Sequence, residues 1–223
     1  VLSTAAEVYC WGEKEHHGYA DDKHLGDDPN EVAGLAPLPL ASGGATVTHI
    51  WGGLAMCAAF SNGNATCWGG PSSLAIYGLN AITTVPEVQP GANFVLLPAP
   101  AAGKHIVPAA FSHVTESNCV VISLAPPAAS QQVVCWGFNH FGELGQDNNH
   151  ARGSTASAPN RMQDVVPLDF GPLPHGFEPR QVAAASTHMC AVLSDVPVDS
   201  QSFSAAQNMM VRCWGANAGC ALG

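Results

Sequence analysis

The sequence predicts an all-β protein built from a repeated unit, and three observations lead there. The triplet Cys-Trp-Gly occurs four times, at residues 10–12, 67–69, 135–137 and 213–215. Two of its three residues are rare, so chance does not account for four copies. Short apolar stretches of strand length lie between Gly and Pro turns. Each of the three later triplets is preceded by a second cysteine in "LAMCAAF", "ESNCVVIS" or "THMCAVLS".

The elements follow one order along the chain. After the triplet comes a polar turn: "EKEHHGYADDKHLG" in the first copy, "CWGFNHFGELG" in the cleanest, "CWGANAGCALG" in a shortened one, and a decayed "GPSSLAIYGLN" after Trp68. These turns are read as ending in a shared Leu-Gly. A Pro-containing apolar stretch comes next, as in "LAPLPL" and "VPLDFGPLP", and then the cysteine-bearing strand. The units are roughly 13–69, 70–137 and 138–215, with part-units 1–12 and 216–223, in one fragment spanning 1–223. No unit buries both faces alone, so neighbours must stack. Trp11, Trp68, Trp136 and Trp214 are expected to fill the space between them. Gly12, Gly69, Gly137 and Gly215 are expected at turns that oppose a Cβ.

This order resembles the regulator of chromosome condensation repeat, in a secreted, Cys-Trp-Gly-rich variety. The family's core runs His-x-Cys-Ala-Leu, a Gly turn, then Val-x-Cys-Trp-Gly-x-Asn-x-x-Gly-Gln-Leu-Gly. Here His188, Cys190 and Ala191 carry the first part; Asn139, Gly142, Leu144 and Gly145 carry the second, with Glu143 in the Gln place. Ala55 and Ser117 depart from it, standing where the family often has His. The resemblance implies a β-propeller, seven-bladed when complete, of which this chain holds a partial ring of about three to four blades. It also makes His188 a structural blade residue rather than a catalytic base.

The cysteine spacing has a geometric reading of its own. In "CAAFSNGNATC" a three-residue loop Ser61-Asn62-Gly63 puts Cys57 opposite Cys67, with Gly63 at the left-handed position of the turn. The pair falls at a non-hydrogen-bonded position, where strands come close enough for a cross-strand disulfide. The same arithmetic pairs Cys119 with Cys135 and Cys190 with Cys213. Bridges imply an oxidising compartment; the alternative is that these cysteines are small buried hydrophobes packed beside Trp. Cys10 lacks a partner, which belongs on the strand before Val1, and Cys220 lies in a turn. A Cys10–Cys220 bond is a further option. The sequon Asn64-Ala65-Thr66 makes Asn64 a candidate for an N-glycan.

Composition narrows the function classes. A hydrophobic fraction of 47% at 11% charged residues excludes a disordered chain. A net charge of −10 with only seven Lys plus Arg argues against nucleic acid as a partner. No apolar run is long enough for a membrane helix, no signal peptide opens the chain, and both ends read as cut from something longer.

The polar stretch 13–31 offers His16, His17, Asp21, Asp22, His24, Asp27 and Asp28 as weak candidate metal ligands. Their spacing matches no metal motif, and a solvated loop is the alternative. No nucleophile elbow or phosphate-binding loop is present, and His113 and His140 have no identifiable partner, so neither an enzyme nor a cofactor is expected.

The expected function is a non-catalytic extracellular or cell-surface interaction module in a larger multidomain or filamentous assembly. Other proteins, or further parts of the same polypeptide, would complete the propeller. The tips at 124–131 and 195–209, with the acidic loop at 13–31, are candidate contacts. The alternatives are an intracellular regulator resembling a small-GTPase exchange factor, and a propeller that inhibits an enzyme.

Overall fold

A computed structural model describes residues 1–14, 16–19, 21–40, 44–52, 55–69, the backbone of 105–112, and 117–123, 130–153, 161–185, 187–195 and 208–217. Its regular structure is three antiparallel three-stranded sheets. The first is β1 (Val47–Gly52), β2 (Ala55–Phe60) and β3 (Ala65–Gly69). The second is β4 (His105–Ser112), β5 (Ser117–Ser123) and β6 (Gln131–Gly137). The third is β7 (Glu178–Ala184), β8 (His188–Ser194) and β9 (Met209–Gly215). Each sheet keeps its strands in chain order, the meander expected of a propeller blade. Among the described residues no helix is long and apolar enough to cross a membrane.

Every first strand carries a register shift, between Val47 and His49, Val107 and Ala109, and Pro179 and Gln181. The extra residue is Thr48, Pro108 or Arg180. Proline is tolerated in a strand where no ladder N–H is needed, and a bulge is such a place.

The connections also repeat. After the triplet the polar loop returns to the triplet's glycine: Gly12 exchanges both backbone hydrogen bonds with Leu25, and Gly137 does the same with Arg152. A 3-10 turn follows at Val32–Gly34 or Met162–Asp164. The Pro-Leu stretch then runs along the sheet edge. Leu38 donates its N–H to the Val8 carbonyl at 2.7 Å, and Leu168 to the Val133 carbonyl at 2.9 Å.

This corrects the alignment read from sequence. Leu25-Gly26 takes the place of Arg152-Gly153, not of Leu144-Gly145. The backbone pairing to the triplet glycine sets the equivalence, and a two-residue Leu-Gly match in a loop of variable length does not.

Side-chain alternation along a strand gives each blade two apolar faces. In the second blade Val120, Ile122, Val134 and Trp136 point back into one buried cluster with Cys57, Ala59, Ala65 and Cys67 of the first. Cys119, Val121, Val133 and Cys135 point forward into another with Val182, Met189 and Ala191 of the third, against which Trp214 packs. Trp68 and Ala58 point back onto Val8, Cys10 and Leu38.

Trp68 and Trp136 are wholly buried and Trp214 is partly buried, all facing the preceding blade. Trp11 departs from the expectation: it is 48% exposed, because no described element lies on its backward side. Replacing Trp136 by Ala should cost about 3–5 kcal/mol in denaturant unfolding. Trp11→Ala should stay within about 0.5 kcal/mol, as surface changes do.

Candidate functional site

The contacts that join one blade to the next form the most elaborate site among the described residues. Cys57–Cys67, Cys119–Cys135 and Cys190–Cys213 are disulfides across the second and third strands of their blades. Their Cα atoms lie 4.0, 4.1 and 4.0 Å apart, the close approach of non-hydrogen-bonded pairs. The tip at 61–63 shows how the register is set. Phe60 N–H donates to the Asn64 carbonyl, Gly63 N–H donates to the Phe60 carbonyl, and Gly63 sits at φ +81°. That three-residue turn fixes Cys57 opposite Cys67.

The triplet glycines Gly12, Gly69, Gly137 and Gly215 share φ values of +122°, +123°, +112° and +106°. A Cβ on Gly215 would also lie 2.7 Å from the Thr187 carbonyl oxygen. The triplet is therefore one device: cysteine faces forward, tryptophan faces back, and glycine turns the chain.

The corner after the second blade receives the third blade's tryptophan. Asn139 is buried; its Nδ2 donates to the Asn148 and His150 carbonyls, and its Oδ1 accepts from Leu144 N–H. Glu143, in the family's Gln place, accepts the Phe141 N–H through Oε2 at 2.8 Å. Its backbone carbonyl accepts the Trp214 indole N–H at 2.7 Å. Gly145, at φ +61°, leaves room for this contact: a Cβ there would lie 2.8 Å from Leu168 and 3.2 Å from Trp214.

A second indole, that of Trp51, donates across blades to Asn118 Oδ1 at 3.0 Å. The Trp51–Asn118 contact was not legible in the repeat, because the other units hold Ala110 and Ala183 at the Trp51 position and Met56 and Met189 at the Asn118 position. In the place of the family's His, the Ser117 hydroxyl donates to the Phe138 carbonyl, and Ala55 is fully buried. His140 stacks on Phe138 at 5.2 Å.

The acidic stretch ties its polar groups to one another. Lys14 Nζ meets Asp22 at 2.6 Å and holds its carboxyl below the usual carboxylate range. His24 Nδ1 accepts the Lys14 N–H, and Glu31 accepts the N–H groups of Gly26 and Asp28, which lower its pKa. His17 is buried with Nδ1 accepting from Tyr19 N–H, so Nε2 carries the proton and donates to the Lys23 carbonyl at 2.9 Å. Both imidazole nitrogens are thereby used. His16 lies 3.4 Å from Glu13. Among the described residues, which include Asp21, Asp27 and Asp28, no three such side chains converge on a point where a metal could sit.

Asn64 is exposed at its hairpin tip, while Thr66 of the same sequon is buried. Cys10 is buried and unbridged, and burial pushes its thiol pKa up. Cys220, His113 and the tips at 124–129 and 196–207 lie outside the described residues.

The forward face of the third blade is open. Val211 occupies the position of Val133, yet it is 61% exposed where Val133 is fully buried. Cys190 and Cys213 are half-buried there, and Ala183 is exposed.

Replacing Asn139 by Ala should cost about 3 kcal/mol in denaturant unfolding. It strips a buried N–H and two carbonyls of their partner at once.

No family model and no curated protein matches the chain. Solved structures do. Human WBSCR16 superposes with a TM-score of 0.61 at 16% identity, over 100% of this chain and 46% of that one. Yeast RCC1 (Prp20), in a crystal structure with Kap60 bound, gives 0.49 at 15% identity, over 83% and 38%. The chain thus spans less than half the length of either protein. What it shares with human WBSCR16 is the fold, an all-β partial propeller of the regulator-of-chromosome-condensation type.

Proposed function

We propose that this chain belongs to a secreted or cell-surface propeller whose role is to bind other proteins and not to catalyse. The observation that carries the reading is the cross-strand disulfide present in each of the three described blades. Such bonds persist in oxidising compartments and are rare where glutathione keeps thiols reduced. The exposed Asn64 at a hairpin tip is accessible to a glycan and fits the same compartment.

On the forward face of the third blade no described element covers the sheet. It presents Ala183, Val211 and the Cys190–Cys213 bridge where the other two blades are covered by a neighbour. Another protein or a further blade of the same polypeptide fits that face, as part of a larger multidomain or filamentous assembly.

Non-reducing peptide mass mapping of the native protein, before and after glycosidase, tests this reading. The expected result is three linked peptide pairs and a sugar on Asn64. Free thiols with a bare Asn64 would place the protein inside the cell and turn the reading toward an intracellular regulator.

A further inference from the structure

Each described joint between blades has a socket and a knob. The socket on the second blade is formed by the paired residues Cys119–Cys135 and Val121–Val133 of its forward face. All four are fully buried, and Trp214 of the third blade packs against them. The knob that the second blade turns backward is Trp136, with Met162 of the 3-10 turn that follows it. Both are fully buried in one cluster with the Cys57–Cys67 bridge.

The third blade repeats the socket place for place, with the pairs Cys190–Cys213 and Val192–Val211. None of the four is sealed. The bridge and Val192 are half-buried, Val211 is 61% exposed, and Met209, on the same face of the strand, is 43% exposed. The first unit repeats the knob. Trp11 holds the place of Trp136 in the triplet, and Val32 opens the 3-10 turn Val32–Gly34 as Met162 opens Met162–Asp164. The two side chains flank Gly26, where a Cβ would lie 3.3 Å from Val32 and 3.4 Å from Trp11. Trp11 is 48% exposed and Val32 45%.

Grouped apolar exposure of this kind marks an interaction site, and here one chain carries both halves of one joint. That match singles out the occupant. We infer that the knob of one copy of this chain, Trp11 with Val32, seats in the Cys190–Cys213 socket of a second copy. A head-to-tail contact of this sort closes into a ring where the rotation allows. The chain spans 46% of human WBSCR16, so two copies fit within the length of one such propeller. A two-copy ring with two identical joints is the expected assembly. This assignment rests on the binding role proposed for the open face and names the partner that fills it.

Sedimentation of the whole chain over a range of concentrations tests the joint. The parent should show a two-chain mass when concentrated and a single-chain mass on dilution. Trp11→Ala removes the knob, and Val211→Asp puts a carboxylate in the socket that docking would bury unpaired. Each should weaken association at least about thirtyfold, the loss expected at the centre of an interface. Mixing the two variants should restore a two-chain species, because the first keeps the socket and the second keeps the knob. Peptide mapping of the three bridges reports that each variant has folded, and Trp11→Ala should unfold as the parent does in dilute solution.

A single-chain mass for the parent at every concentration, with all three bridges intact, would overturn the assignment and leave the secreted reading standing. Dimers that survive either substitution, or folded variants that do not associate when mixed, would overturn it as well. Free thiols in a parent that still forms the knob-dependent dimer would do the reverse: the joint would hold and the secreted reading would fall.

Discussion

Adjacent residues of a β-strand point to opposite faces, and the join between blades depends on that fact. In Cys135-Trp136 the cysteine closes a bridge on the forward face while the indole lies on the preceding blade, in one cluster with the Cys57–Cys67 bridge. A disulfide offers polarisable sulfur to an aromatic ring, and it locks the second and third strands in the register that aims the next pair of side chains. Each blade is thus fixed by its own bridge and clamped by its successor's tryptophan. The third blade, whose forward face no described element covers, shows what the clamp supplies: its bridge is half-buried where the other two are sealed.

The corner after the triplet serves the same join from the other side. Asn139 gathers three backbone groups, among them the N–H of the buried Leu144. It thereby presents the Glu143 carbonyl to the Trp214 indole, while Gly145 keeps the space beside that ring clear. The charged stretch at 13–31 does a related task in the first unit. Its loop closes on Gly12 through Leu25, and its ion pair and histidine contacts hold the loop to itself. Polar residues that look like ligands in sequence act here as loop fasteners.

Much of this was legible in the sequence because the informative elements are short and local. A three-residue turn with Gly63 at its end leaves one register, so the position of Cys57 opposite Cys67 follows from counting. What depended on the neighbouring blade was not legible. Trp11 carries the same triplet as Trp136, but burial is decided by what lies behind it. The Leu25-Gly26 pair looked equivalent to Leu144-Gly145, yet backbone pairing across a loop of different length places it elsewhere. The Trp51 to Asn118 bond joins residues 67 positions apart in the chain that no motif links.

The account stands on the coupling between one blade's disulfide and the next blade's tryptophan. The direct measurement is a double-mutant cycle in denaturant unfolding, combining Cys57→Ala with Cys67→Ala as one change and Trp136→Ala as the other, with Trp11→Ala as reference. The account predicts a coupling of about 1–3 kcal/mol between the bridge and Trp136, and none with Trp11. Strictly additive costs for the bridge and Trp136 would contradict it, and would leave the recurrence of cysteine beside tryptophan without a physical cause.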